Sequence, residues 1–331
     1  MLTPRQNFIE TITPGGHPER FVNQYDFMAF AFYPFSMDQM PPEKGTRKVN
    51  PWGVTQEYRE DQPGAFPLDT PDLLVIKDFE NWKDYVKAPN IDYPESAWEP
   101  WIAEAEKIDR EQVFACSFVA PGLFEQLHYL ASMTEALAAF YEYPDEVHEL
   151  IKFLTDWELK LADGFISHLH PDMILHHDDW GSRKSTFLSP DMFAEFFLEP
   201  YKTIYGYYHE NGVQYVVHHS DSYAATLVPY MIEMGINVWQ GCMTSNNIPE
   251  LCEKYGDKIA FMGGLDGADI EKADWTKPWV KEQVHELCSH GHKSFIPCIT
   301  QGLPMSTYEG LYDCISECIA EESEERKAEF E

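Results

Sequence analysis

The sequence predicts an α/β fold: one (β/α)8 TIM barrel over residues 1–331, with irregular or hairpin excursions near the N-terminus. Three observations predict it. From Glu111 onward, short apolar runs alternate with amphipathic helical stretches, the pattern of strands buried on both faces and joined by helices. The 331 residues are 44% hydrophobic and 15% aromatic, which suits one large packed core. No Gly-rich nucleotide loop follows the first apolar run, which favours a barrel over a doubly wound sheet.

The first apolar run is Phe27–Phe32. The stretch from Pro41 to Pro94 is rich in Pro, Asp and Gly, and Trp52-Gly53-Val54-Thr55 within it suggests a hairpin. The later runs are Val113–Phe118, Met173–Leu175, Val213–Val217, Asn237–Gln240, Ile259–Met262 and Ser294–Ile296. That makes seven strand candidates, one fewer than a closed eight-stranded barrel needs. Pro144-Asp145-Glu146 opens a helix with Val147, Leu150, Ile151, Leu154 and Trp157 on one face. Ser189-Pro190-Asp191 opens a second, which carries Met192, Phe193, Phe196 and Phe197 and stops at Gly212. Thr276 precedes a third, with Val280, Val284 and Leu287 apolar and Gly291 beyond it. Ser306-Thr307-Tyr308-Glu309 spells a capping box before Leu311, Ile315 and Ile319. The charged tail 321–331 ends a helix or frays into solvent.

Charge limits the function. The formal net charge is −32, from 56 acidic and 24 basic residues. Nucleic acid and anionic membranes both call for a basic footprint, so neither is an expected partner. Only seven arginines occur, Arg5, Arg20, Arg47, Arg59, Arg110, Arg183 and Arg326, too few for a site gripping many anionic groups. No signal-like segment or run of about 18 apolar residues is visible. Seven scattered cysteines without a CxxC pair fit reduced thiols, and the expected compartment is cytoplasmic.

A barrel keeps its active site at the C-terminal ends of its strands. Four of the thirteen histidines fall at two of these ends, in His176-His177-Asp178-Asp179 and His218-His219-Ser220-Asp221. Pro121 to Glu125, Gly241-Cys242, Gly263 to Asp266 and Pro297-Cys298 follow other runs. Imidazole, carboxylate and thiolate bind zinc or a similar ion, and a catalytic zinc takes three protein ligands with one open position. His219, Asp221 and Cys298 are the expected ligands, with His177 or Glu125 as substitutes. Strand side chains alternate in direction, so one member of each His pair is expected in the wall. Asp178-Asp179 also suits a helix cap and its solvated neighbour. Cys252, Cys288, Cys314 and Cys318 sit in helical patterns and are expected in the core.

At these residues the chain resembles the uroporphyrinogen decarboxylase superfamily and, within it, the corrinoid-dependent methyltransferases. The resemblance runs through Thr3-Pro4-Arg5-Gln6, Trp52-Gly53-Val54, His177-Asp178-Asp179-Trp180-Gly181, Leu188-Ser189-Pro190, His219-Ser220-Asp221-Ser222, Gly256-Asp257-Lys258, Gly263-Gly264-Leu265-Asp266 and Cys298. It implies a (β/α)8 barrel. The decarboxylases themselves carry a Met-Arg-Gln-Ala-Gly-Arg-Tyr segment near the first strand. Here that region is Phe27-Met28-Ala29-Phe30-Ala31-Phe32-Tyr33, without arginine. Methyltransferases that act on coenzyme M carry His-x-Cys-Gly and a later Cys. Here Asp221 stands at the first Cys, while Cys298 matches the later one. An oxygen ligand makes a harder Lewis acid, suited to an ether oxygen.

The resemblance therefore implies an O-demethylase methyltransferase component. It would transfer a methyl group from a methyl ether, most naturally a methoxylated aromatic, to cob(I)alamin on a partner corrinoid protein, with zinc as Lewis acid. His177, Asp178, Asp179 and Glu125 are the expected catalytic residues. The alternatives are a decarboxylase and a corrinoid-to-thiol methyltransferase.

Overall fold

The computed structural model describes residues 1–62 and 64–330; Pro63, within the expected hairpin region, and Glu331, the last residue of the charged tail, lie outside them. Ten strands occur among the described residues: β1 (Met28–Phe30), β2 (Arg47–Val49), β3 (Thr55–Glu57), β4 (Phe66–Pro67), β5 (Phe114–Val119), β6 (Met173–His177), β7 (Tyr215–His219), β8 (Val238–Cys242), β9 (Ala260–Leu265) and β10 (Phe295–Ile299). Seven form one parallel sheet in the order β1-β5-β6-β7-β8-β9-β10. Each long run buries both faces, hence their unbroken apolar sequences. The sheet curls into a TIM-like half-barrel.

The expected eighth strand is not found among the described residues, and β1 and β10 do not pair. The reason is local. Asn23, Gln24 and Asp26 are polar, and Gln24 has φ +53°, which breaks an extended strand. The side chains bridge the seam instead. Gln24 Oε1 accepts the Ile299 amide at 3.3 Å, and its Nε2 donates to Ser316 Oγ at 2.7 Å. Tyr25 donates its hydroxyl to the Gln301 carbonyl at 2.7 Å.

The N-terminal end of the strands is stopped. Thr3 and Gln6 form a reciprocal capping box, opening a helix at Pro4–Ile12. That helix inserts Phe8, fully buried, among three residues at strand starts. It stacks on Phe27 at 4.2 Å and meets Phe114 and Tyr215 edge-on at 5.3 and 5.5 Å. Arg5 lies over the Phe114 ring at 4.0 Å and pairs with Asp172.

The helices follow the sequence signals with one exception. Pro144–Leu169 buries Val147, Leu150, Ile151 and Leu154, with Trp157 half-buried. Ser189 caps its helix by accepting the Met192 amide at 3.2 Å, and that helix runs through a π turn, Ala194–Leu198, into Glu199–Glu210. Lys277–Cys288 buries Val280, Val284 and Leu287. The exception is the expected capping box at Ser306. The last long helix is Leu311–Glu325 and starts after Gly310, whose φ of +76° turns the chain, while Ser306 closes a local turn with Tyr308.

The N-terminal excursion contains a three-stranded antiparallel sheet, β2-β3-β4. Its first turn is closed by Asn50 Oδ1, which accepts the Trp52 and Val54 amides. All seven cysteines are free, with Cys288, Cys314 and Cys318 buried and Cys252 half-buried. No helix among the described residues is long and apolar enough to cross a membrane.

Candidate functional site

The two His-His pairs lie side by side, His176 opposite His218 and His177 opposite His219. Alternation along a strand sends the members of each pair to opposite faces. His176 and His218 enter the layer between sheet and helices and are fully buried. His176 Nε2 bonds Glu158 Oε1 at 2.8 Å, an oxygen that also accepts the Tyr208 hydroxyl. His218 bonds Tyr205 through Nδ1 at 2.8 Å and the Asp178 carbonyl through Nε2 at 3.2 Å, with Trp180 stacked on it at 3.8 Å. Burial, with the neighbouring histidines, pushes the His218 imidazole well below its ordinary range. These two belong to the wall.

His177 and His219 face the other way and stack at 4.3 Å. His177 Nδ1 bonds Glu125 Oε2 at 2.8 Å. Burial alone would lower this imidazole, but Glu125, then Asp179 and Asp221, outweigh it and push it up to about 10. His219 Nδ1 bonds Gln240 Oε1. Burial and the His177 charge push His219 down to about 4, so it is neutral. Its Nε2 lies 3.7 Å from Asp179 Oδ1. Asp179 in turn accepts the Asp221 amide at 2.9 Å. Asp221 reaches solvent at the mouth but is walled by protein on its other sides. That desolvation, with the Asp179 charge, pushes its carboxyl up to about 8.

His177, Asp179 and His219 each present a ligand atom within 4.8 Å of the others. This is a two-histidine, one-carboxylate set of the kind that binds divalent transition metals. Glu125 and Gln240 hold the far nitrogens of the imidazoles, as outer partners of metal-bound histidines do. A second grouping, His285, Glu322 and Glu325, lies on the C-terminal helices. Its lone pairs are already engaged: Glu322 by Arg326 at 2.9 Å and Glu325 by Lys281 at 2.9 Å.

The other expected residues sit differently. Asp178 is buried beneath the site and caps the helix Leu123–Ala131. Its carboxylate accepts the Phe124 amide at 3.0 Å, the Glu125 amide at 2.7 Å, Trp180 Nε1 at 2.9 Å and the Tyr201 hydroxyl. Tyr201 accepts the third free amide of that helix, Leu123, at 2.9 Å. Burial and Glu125 push Asp178 up to about 7 against these donors. Glu125, on the same helix, reaches the site only through His177. Cys298 is not in the ligand grouping. It is fully buried beside Gln240, and burial pushes its thiol well up.

Two residues at the site had no role in the sequence-based expectation. Gln240 ends an apolar run, the same signal that marked the histidines. Gly302 left no signal, but its backbone lies against both imidazoles. A β-carbon there would fall 2.9 Å from His177 Cδ2 and 3.2 Å from His219 Cδ2 and Cε1. An aromatic file leads away from the pair: Phe118 lies 6.4 Å from His177, Phe30 6.4 Å from Phe118, and Phe32 stacks 5.8 Å from Phe30. A cavity of about 280 Å³ beside the seam shares Phe30 with this file and is also lined by Tyr25, Met28 and Tyr312, not by the histidine pair.

The sequence matches the uroporphyrinogen decarboxylase (URO-D) family over residues 78–319. The chain belongs to this family. Among solved structures, a methyltransferase from Methanosarcina mazei matches this URO-D member with a TM-score of 0.65 at 13% identity, over 97% of this chain and 99% of that one. That likeness shows a shared fold. A family 2 AP endonuclease from Brucella melitensis reaches a TM-score of only 0.33 at 12% identity, over 62% of this chain and 79% of that one. No curated protein sequence matches. The matched family segment includes His177, Asp179, His219, Gln240 and Gly302, so the whole grouping lies within the family domain.

Proposed function

We propose that this chain is a methyltransferase that cleaves a methyl ether, an aryl O-methyl group, and passes the methyl to cob(I)alamin on a separate corrinoid protein, with zinc at His177, Asp179 and His219. The observation that carries this reading is the two-histidine, one-carboxylate set at the strand ends of a URO-D fold shared with a methyltransferase. The residues fit the ion. Tetrahedral zinc with bonds of about 2.0–2.1 Å places its ligand atoms about 3.3 Å apart, and His219 Nε2 and Asp179 Oδ1 are already 3.7 Å apart. A single cation can therefore meet both atoms with little movement of either side chain.

In the reaction the O–CH3 bond breaks with both electrons going to oxygen, and the methyl passes to the cobalt lone pair. The leaving oxygen is the difficulty, since it departs poorly without a proton or a Lewis acid. Zinc, when held there, supplies the Lewis acid. Asp221, open to the mouth beside Asp179, holds the proton that the released oxygen takes up. Glu125 orients His177 through Nδ1. Phe118, Phe30 and Phe32 offer ring faces to the aromatic group. In this reading Asp179 takes the oxygen-ligand part given in sequence to Asp221, and Cys298 stays behind Gln240. The seven free cysteines fit a reducing cytoplasm.

A decarboxylase for polycarboxylates is less well supported. Each of the seven arginines already contacts a carboxylate or a backbone carbonyl, Arg183 near the mouth included, 2.7 Å from Asp269. The test is anaerobic spectroscopy of cob(I)alamin consumption with methoxylated aromatics, methanol and methylamines, alongside metal analysis. Wild-type protein is expected to hold about one zinc and to consume cob(I)alamin with aryl methyl ethers. No consumption with any ether overturns the reading.

A further inference from the structure

We infer that Gln240 is a positioning residue that fixes the tautomer of His219, keeping the Nε2 lone pair bare and aimed at the metal position; this rests on the metal site proposed above.

Gln240 is fully buried at the heart of the site. Its Nε2 faces two backbone carbonyls, Ile299 at 3.2 Å and Gln301 at 3.1 Å. Two acceptors admit only the NH2 end of an amide, so the protein dictates which way the side chain points. Its Oε1 is then turned to Nδ1 of His219. An acceptor at that position requires the imidazole hydrogen on Nδ1. A neutral imidazole with its hydrogen there has only a lone pair at Nε2, and Nε2 is the atom beside Asp179 Oδ1.

The assignment is braced from behind. The Gln301 carbonyl that orients Gln240 also accepts the Tyr25 hydroxyl at 2.7 Å. Tyr25 is buried in the seam between β1 and β10. A continuous set of contacts thus runs from the seam through Gln301 and Gln240 to a metal ligand. His177 is held at the same nitrogen by a carboxylate, Glu125. Only the amide at 240 combines an oxygen for the imidazole with a nitrogen for two carbonyls. A carboxylate there would turn lone pairs onto both carbonyl oxygens, and an apolar side chain would leave Nδ1 without a partner.

Nitrogen-15 long-range correlation NMR on metal-free protein labelled at histidine reads the tautomer directly. For wild type, Nδ1 of His219 is expected protonated and Nε2 bare. In Gln240→Met the two tautomers are expected to mix. Zinc affinity, read by competition with a chromophoric chelator, is expected to fall 10–100-fold. Gln240→Glu, which keeps an oxygen opposite Nδ1, is expected to retain the wild-type tautomer. A hydrogen on Nε2 in the wild type, or an unaltered tautomer with affinity within twofold in Gln240→Met, overturns the inference. If Gln240→Met does not fold, the wild-type spectrum still decides. Wild-type protein with the stated tautomer but no zinc uptake supports the Gln240 assignment and overturns the metal site instead.

Discussion

Asp178→Asn separates a structural carboxylate from a catalytic one. Asp178 Oδ2 receives three donors, the Phe124 amide, Trp180 Nε1 and the Tyr201 hydroxyl, and Oδ1 receives the Glu125 amide at 2.7 Å. Asparagine has one oxygen, and three donors draw it to the Oδ2 position. Its NH2 then confronts the Glu125 amide, donor against donor. One buried N–H left unpaired costs about 1–3 kcal/mol, and the remaining three bonds lose their charge assistance. A total of about 3 kcal/mol is expected. With an unfolding entropy of about 2.1 cal/mol/K per residue over 331 residues, that lowers Tm by about 4 °C. The assay pairs calorimetry with zinc affinity and cob(I)alamin consumption per folded molecule. Zinc affinity and turnover are expected within a few-fold of wild type, since Asp178 contacts neither a ligand side chain nor the mouth. An unchanged Tm together with a hundredfold loss of turnover would refute the capping role.

Three further outcomes follow from the same geometry. Gly302→Ala forces a carbon to 2.9 Å from His177, well inside the about 3.5–4.0 Å of carbon contact; zinc affinity should fall at least tenfold, and an unchanged chelator competition would show that the loop yields freely. Cys298→Ser should keep the full zinc content, whereas His219→Ala should lose it, and metal analysis of both variants decides whether the thiol is a ligand. His128, pushed by burial down to about 4, resists charging in the folded state. Its contribution is therefore full above about 6.5, its unfolded value, and is lost as pH falls towards 4. His128→Gln should shrink the drop in urea midpoint between pH 7.5 and 5 by the equivalent of at most about 2 kcal/mol, and an equal drop in both proteins would count against it.

All seven sheet strands were legible because parallel strands buried on both faces leave compact apolar runs. Closure of the barrel was not: the sequence offered seven runs and no eighth, and the polar segment before β1 joins the sheet edges through Gln24 and Tyr25 side chains. The split within each His pair was legible from strand alternation. Which residue meets which across the fold was not. Asp178 caps a helix 53 and 54 positions earlier in the chain, as its bonds to Glu125 and Phe124 show. Asp179, one residue on, emerges on the ligand side. Cys298 and Gln240 both end or follow apolar runs, so a strand-end rule ranks them alike. Only the register of β8 against its neighbours puts the amide, rather than the thiol, on His219. The Ser306 box has the right letters, but Gly310 sets the helix start.

Phe8 and its ring of contacts make the half-barrel a cup with one opening. Whatever enters the cup must leave by the way it came. Under the proposed function, a methyl donor has to be seated before a bulky acceptor covers the rim, and the demethylated product waits until that acceptor withdraws. On that proposal the expected order is donor first, acceptor second, methylated acceptor away, product last. An excess of acceptor should inhibit turnover by covering an empty cup, and extra donor should relieve that inhibition.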